Sequence, residues 1–181
     1  MRVGLGGIAK GHALDLMAAA LRKRGVVDFV CYAGGDLVVA GRKGDDPWVV
    51  GLRHPRNRDG LLARFAVESD AAIVTSGDYE HAVIAGGKRY HHIIDPRTGF
   101  PAEGMMSVTV MGLSGLLSDA LATGIFVMGA ERGLDLVEDL DGVEAVLIDG
   151  EGNVTLSSGV ANVPEFLPIV SHRICSGKSC N

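Results

Sequence analysis

Three short stretches of the chain carry the residue types that do chemistry. Gly6-Gly7-Ile8-Ala9-Lys10-Gly11 is a glycine turn with one lysine. Arg89-Tyr90-His91-His92-Ile93-Ile94-Asp95-Pro96-Arg97-Thr98-Gly99 sets imidazole, carboxylate, guanidinium and hydroxyl within a few residues. Ser118-Asp119-Ala120-Leu121-Ala122-Thr123 places a carboxylate and a hydroxyl four apart, hence on one face of a helix. Asp119 and Thr123, with a backbone carbonyl and waters, suit a hard divalent cation such as Mg²⁺, which is usually shared with substrate phosphates. The neighbours Leu117, Ala120, Leu121 and Ala122 are apolar, which puts Asp119 partly inside, and a buried carboxylate needs a partner. His92 has the chemistry of a general base or of a hydrogen-bond donor to phosphate. A glycine turn running into a helix leaves N–H groups pointing outward, an anion site to which Lys10 adds positive charge. Each stretch alone has an ordinary reading: an Asp-Pro turn, a strand histidine satisfied by a carbonyl, a surface Asp-x-x-x-Thr, a solvated lysine. Together they describe one phosphate-and-metal site.

The placement of these residues depends on the elements around them. A helix is expected from about His12 to Arg24, where Leu14, Met17, Ala18 and Leu21 recur at helical spacing and Gly25 follows a basic last turn. Strands are expected at Val26 to Tyr32, Leu37 to Ala40, Trp48 to Leu52, Leu61 to Val67 and Ala71 to Thr75. His81 to Ala85 and Lys88 to Ile94 flank Gly86-Gly87, the strongest hairpin signal in the chain. The middle chemical stretch therefore reads as a strand entering a polar loop stiffened by Pro96. On such a strand His91 and His92 face opposite sides, so only one can enter a site. Met105 to Met111 reads as a strand, and Ser114 caps a helix reaching about Met128. A second helix at Glu131 to Leu140 precedes a hairpin of Val143 to Ile148 and Val154 to Ser157. Residues 161–181 are expected to be an extended or disordered tail after one core of residues 1–160, because the periodicity fails past Gly159. Hairpins interspersed with helices predict an α+β fold of mixed antiparallel sheets with packed helices.

At 181 residues, with 47% hydrophobic and 22% charged content, the chain is long enough for a full core. No apolar run reaches the roughly 18 residues needed to cross a bilayer, and Met1-Arg2-Val3 leads into glycines without the apolar region of a secretory signal. A net charge of −5 gives no electrostatic footprint for nucleic acid. No serine nucleophile elbow and no paired-cysteine zinc motif is present. Gly4-x-Gly6 lacks the third glycine of a dinucleotide fingerprint, so a redox fold is only the runner-up. Cys31 is expected to be a buried small hydrophobe, while Cys175 and Cys180 are spaced to pair or to bind a metal.

In order along the chain, Gly6 to Gly11, Gly34-Gly35-Asp36, Trp48-x-Val50-Gly51-Leu52-Arg53, Thr75-Ser76-Gly77-Asp78-Tyr79-Glu80, His92 to Gly99 and Ser118 to Thr123 resemble the successive motifs of the ApbE-type flavin transferases. The resemblance runs from about Val3 to Gly159 and implies an α+β fold related to the T-fold. It implies that FAD is bound with Mg²⁺ and split at its pyrophosphate. FMN then passes through its phosphate to a threonine or serine of an acceptor protein, typically a subunit of a redox-driven ion pump, and AMP leaves. By resemblance, Asp119 and Thr123 are the metal-binding side chains and Gly7 ligates through its main-chain carbonyl. Gly6, Lys10, Ile93 and Arg97 are the FAD-contacting positions, and His92 and Asp119 the catalytic ones.

The family works outside the cytoplasm, which implies a periplasmic or membrane-anchored setting. Gly4 stands where the family usually has an aspartate, and the family's N-terminal portion, with further flavin and adenine contacts and the export or anchor signal, is expected to be missing. With aromatics at 5%, that absence predicts FAD and ADP binding within about tenfold of each other. Two other readings accompany this one: an FAD pyrophosphatase giving FMN and AMP, and a non-catalytic flavin-binding or structural fragment. A second copy of the chain is the remaining candidate partner.

Overall fold

The computed structural model describes residues 4–160 in full and the backbone of residues 161, 167–168, 174–176 and 179–180. Helix α1 (Ala9–Arg22) is followed by strands β1 (Phe29–Ala33), β2 (Asp36–Ala40), β3 (Trp48–Arg53), β4 (Leu61–Val67) and β5 (Ala71–Gly77). A small hairpin, β6 (Val83–Ala85) and β7 (Lys88–Tyr90), precedes β8 (Met105–Gly112), α2 (Gly115–Met128) and α3 (Ala130–Glu138). The chain continues as β9 (Glu144–Asp149), β10 (Val154–Leu156), α4 (Ser158–Ala161), β11 (Leu167–Pro168), β12 (Ile174–Ser176) and β13 (Ser179–Cys180). The pairing question raised for the Cys175 and Cys180 side chains lies outside the described residues.

An eight-stranded sheet in the order β1-β2-β5-β8-β9-β10-β12-β13 forms the centre, and β10–β12 is its one parallel pairing among the described strands. Alternation along each central strand divides two cores. Val74, Val108, Val110 and Leu147 meet Ala122, Ile125 and Phe126 of α2 on one face. Ile73, Val146 and Ile148 meet Val50, Leu52 and Phe65 of the small sheet β11-β4-β3 on the other. Covered on both faces, these strands read in sequence as near-continuous apolar runs. The expected α+β architecture is what is found.

Helix α1 lies beside α2 because two glycines let the backbones touch. A Cβ on Gly11 would fall 2.0 Å from the Gly115 carbonyl oxygen, and one on Gly115 would fall 2.6 Å from that of Gly11. The Gly11 N–H donates to Asp119 Oδ2 at 2.9 Å. In return the Asp15 carboxylate accepts from Gly115 N at 2.7 Å, Leu116 N at 3.0 Å and Ser114 Oγ at 3.2 Å. Each helix thus supplies the carboxylate that satisfies orphan N–H groups at the other's start. Ser114 caps α2 as expected, accepting from Leu117 N. Helix α1 begins three residues before His12, with no side-chain cap from its own preceding residues and the Asp119 carboxylate of α2 accepting from Gly11 N in that role.

The strand expected from Lys88 to Ile94 ends at Tyr90. The backbone of residues 93–95 pairs instead across its own loop, with Ala102 N donating to Ile93 O, Asp95 N to Phe100 O and a bridge between Ile94 and Pro101. Burial still alternates from His91 to Asp95, so the two histidines do face opposite ways.

Gly11→Ala should lower unfolding free energy by about 3 kcal/mol, the top of the overpacking range, because backbone and not a yielding side chain blocks the methyl. Gly124, on the exposed side of α2 with nothing within 4 Å, is the contrast. Gly124→Ala should raise stability by about 0.4–1 kcal/mol, both read by urea denaturation.

Candidate functional site

Lys10 of α1 and Asp119 and Thr123 of α2, close to the crossing, line the floor of a cleft of about 510 Å³, a usual size for a ligand site. The cleft gathers Gly6, Gly7, Lys10, His92, Ile93, Asp119 and Thr123, seven of the eight residues singled out from the sequence. Asp119 is 3% exposed, and among the described residues its carboxylate accepts one protein hydrogen bond, from Gly11 N. Thr123 lies one turn further along α2, where a Cβ on Gly7 would be 3.3 Å from its Oγ1. Thr123 Oγ1 is also 3.1 Å from Ser76 Oγ at the end of β5. A carboxylate, two hydroxyls and the adjoining glycine backbone form a hard-oxygen donor set that fits Mg²⁺. Among the described residues no group of three His, Cys, Asp or Glu side chains could hold a metal by itself.

The helix start is less open to an anion than a bare glycine turn suggests. Ile8 N and Ala9 N both donate to Leu5 O, and Gly11 N is taken by Asp119. Lys10 N has no protein acceptor among the described residues. Its ammonium reaches Asp36 Oδ2 at 2.6 Å, off a hydrogen-bond direction, so that oxygen has an ionic partner but no directed bond. Asp36 is fully buried behind the Gly34-Gly35 turn, where both glycines have positive φ (58° and 105°), and its Oδ1 accepts from Thr75 N at 3.1 Å. Burial pushes the Asp36 carboxyl above its ordinary 3.8, against the pull of Lys10 and the Thr75 N–H, and the Asp119 charge adds to the rise.

His92 and Ile93 enter from the segment that follows β7. His92 Nδ1 lies 3.1 Å from the Glu80 carbonyl oxygen, and its ring stands edge-on to His81 with centroids 5.5 Å apart. His91 turns inward against Phe126. Arg97 does not reach the cleft: its guanidinium forks onto Asp95 at 2.8–3.2 Å and its N–H donates to the same carboxylate. That pair holds the Asp95 carboxyl below and the Arg97 guanidinium above their ordinary values.

Sequence reasoning gave no role to Tyr32 or His81, and quoted Ser76, Tyr79 and Glu80 only within the motif Thr75 to Glu80; all five also line the cleft. Ser76 had a signal: it lies two residues past Val74, which packs on α2, so it faces α2 as well. Tyr79 is pushed up to about 12, chiefly by burial, and stays a neutral phenol. With Leu37, Val50, Leu52 and Ile93, the two tyrosines give the cleft an apolar wall that the aromatic content does not suggest.

The Asp36 shift predicts a pH dependence of stability. A carboxyl that holds its proton more tightly folded than unfolded stabilises the fold fully below the free value of 3.8, and that contribution is lost as pH rises through the folded value. Denaturation of wild type and Asp36→Asn from about pH 3.5 to 7 should show wild type losing ground to the variant as pH rises.

The sequence matches the ApbE family model over residues 1–147. It is 41% identical over 155 residues to an FAD:protein FMN transferase of Rhodobacter capsulatus, covering 85% of this chain and 29% of that one. Against the FAD:protein FMN transferase of Treponema pallidum it is 35% identical over 172 residues, covering 90% and 48%. The solved ApbE protein of Thermotoga maritima superposes with a TM-score of 0.80 at 37% identity, covering 90% of this chain and 53% of that one. The chain spans about half the length, or less, of these relatives. With the glycine turn, the Asp119–Thr123 pair and the His92 loop converging on one cleft, and the family match covering most of its length, the chain belongs to the ApbE family.

Proposed function

We propose that this chain transfers FMN from FAD to a serine or threonine hydroxyl of an acceptor protein, with Mg²⁺ bound and AMP released. The observation that carries the reading is the convergence of Asp119 and Thr123 with Lys10 on one side of the cleft and His92 on another. Asp119, Thr123 and the Gly7 carbonyl would hold the ion, which supplies charge neutralisation at the diphosphate when bound. The protein needs such a cation. Asp119 in the cleft and Asp36 behind it are two carboxyl groups beside the one ammonium of Lys10, so these groups offer a diphosphate no surplus positive charge.

Lys10, held by Asp36, faces the diphosphate as a fixed positive charge. His92 takes the proton of the acceptor hydroxyl as its oxygen bonds to the phosphorus of the FMN half. The bond between that phosphorus and the bridging oxygen breaks, and AMP leaves with the electron pair. Tyr32, Tyr79 and the aliphatic wall provide surface for a ring. The acceptor is of the redox ion-pump type and meets the enzyme outside the cytoplasm; no helix among the described residues is long and apolar enough to cross a membrane.

The test incubates the protein with FAD and Mg²⁺, with and without an acceptor peptide bearing Ser or Thr. Covalently fluorescent acceptor supports transfer, free FMN in both arms indicates hydrolysis, and no product in either arm refutes both. Asp119→Ala should lose at least about a hundredfold in rate and its Mg²⁺ dependence, whereas Thr123→Ala should lose about tenfold, since water can replace a neutral hydroxyl. In a Mg²⁺ titration FAD should bind more than about tenfold tighter than ADP, a preference that replaces the tenfold limit expected from the aromatic content because Tyr32 and Tyr79 line the cleft.

A further inference from the structure

Asp78 does not line the cleft, yet it ties together the wall beside His92. It is 6% exposed, and both of its oxygens receive the Arg56 fork at 2.6 Å. Arg89 Nε of β7 stands 3.7 Å from Oδ2, and the Asp78 N–H donates to Met106 O of β8 at 3.0 Å. One carboxylate thereby fixes the loop after β3, the loop after β5 and the β6–β7 hairpin to one another. Tyr79, Glu80 and His81 follow directly, and Arg53 braces Glu80 at 3.6 Å.

The Glu80 carbonyl at the end of this brace chooses the tautomer of His92. A carbonyl only accepts, so the hydrogen bond from His92 requires the proton on Nδ1 and leaves Nε2 with its lone pair. His91, next in the chain, has the opposite arrangement. Its Nε2 donates to Ala102 O at 3.0 Å, and its Nδ1 accepts from Ile93 N at 3.3 Å. The two neighbouring imidazoles are therefore locked in opposite tautomers by unrelated contacts.

We propose that Asp78 is a positioning residue for His92: through the Arg56 fork it holds the Glu80 carbonyl in place, and that carbonyl keeps the His92 proton on Nδ1 and Nε2 free to receive another. Only the use made of Nε2 rests on the transferase reading. A bidentate guanidinium fixes direction as well as charge, which an ammonium does not, so Arg56→Lys removes the geometry and keeps the charge.

The experiment is nitrogen-15 NMR of the histidine rings at a pH of about 8.5, where a reference imidazole is neutral. It compares wild type, Asp78→Asn and Arg56→Lys. Wild type should show His92 protonated on Nδ1 and His91 on Nε2. In both variants His92 should become a mixture of tautomers while His91 stays on Nε2. The idea is overturned if wild-type His92 carries its proton on Nε2, or if His92 stays on Nδ1 in both variants. It is equally overturned if His91 scrambles with His92, which would mark general loosening. In the transfer assay Asp78→Asn should cut kcat about tenfold with KM for FAD changed less than about threefold. An inert wild type would refute the transferase reading while the tautomer result stands on its own.

Discussion

The site depends on one contact, the crossing of α1 and α2 at Gly11 and Gly115. Two bare backbones meet there, and each helix lends the other a carboxylate. The arrangement answers two needs at once. It satisfies N–H groups that would otherwise be orphaned at buried helix starts, and it delivers Asp119 to the cleft with its direction already set. Thr123 follows one turn along, and the glycine turn before α1 is drawn against it. Widening the crossing by one methyl would separate Gly7 from Thr123 and release Asp119 together.

The electrostatics of the floor follow from that placement. Asp36 and Asp119 are both buried, with Lys10 between the cleft and Asp36. Burial of a carboxylate is tolerated only with partners, and here the partners are a lysine and backbone N–H groups. The two carboxyl groups outnumber the one ammonium beside them. The side that carries His92 is built on a different principle, an arginine fork on Asp78, which does not line the cleft. Charge attraction thus belongs to the floor, and orientation of the imidazole to the wall.

Much of this was legible in the sequence, for physical reasons that differ by residue. Asp119 and Thr123 could be read because helical spacing puts them on one face, and Asp119 sits among apolar neighbours. The strands could be read because double-sided burial makes continuous apolar runs. The start of α1 could not, since local rules look for a cap in the preceding residues and the cap lies 108 positions away. The strand through His92 was overextended because its hydrogen bonds turn back onto residues 100–102. Arg97 looked like a ligand, yet a guanidinium two residues from a carboxylate on a proline-stiffened loop takes the nearer partner. The Asp78–Arg56 fork joins segments that only the folded sheet brings together, and no periodicity announces it.

The glycine crossing also bears on how relatives of this chain can diverge. When two side chains touch, one can shrink as the other grows, and their histories become correlated. Gly11 and Gly115 have no such exchange, because each meets first the other's carbonyl, which no substitution can shrink, with the Asp119 and Asp15 side chains beyond it. The pair can only be kept or lost together with the helix spacing. A method that finds contacts from correlated substitutions would therefore pass over the contact on which the Asp119–Thr123 face depends, and detect more readily the tradeable ones around it.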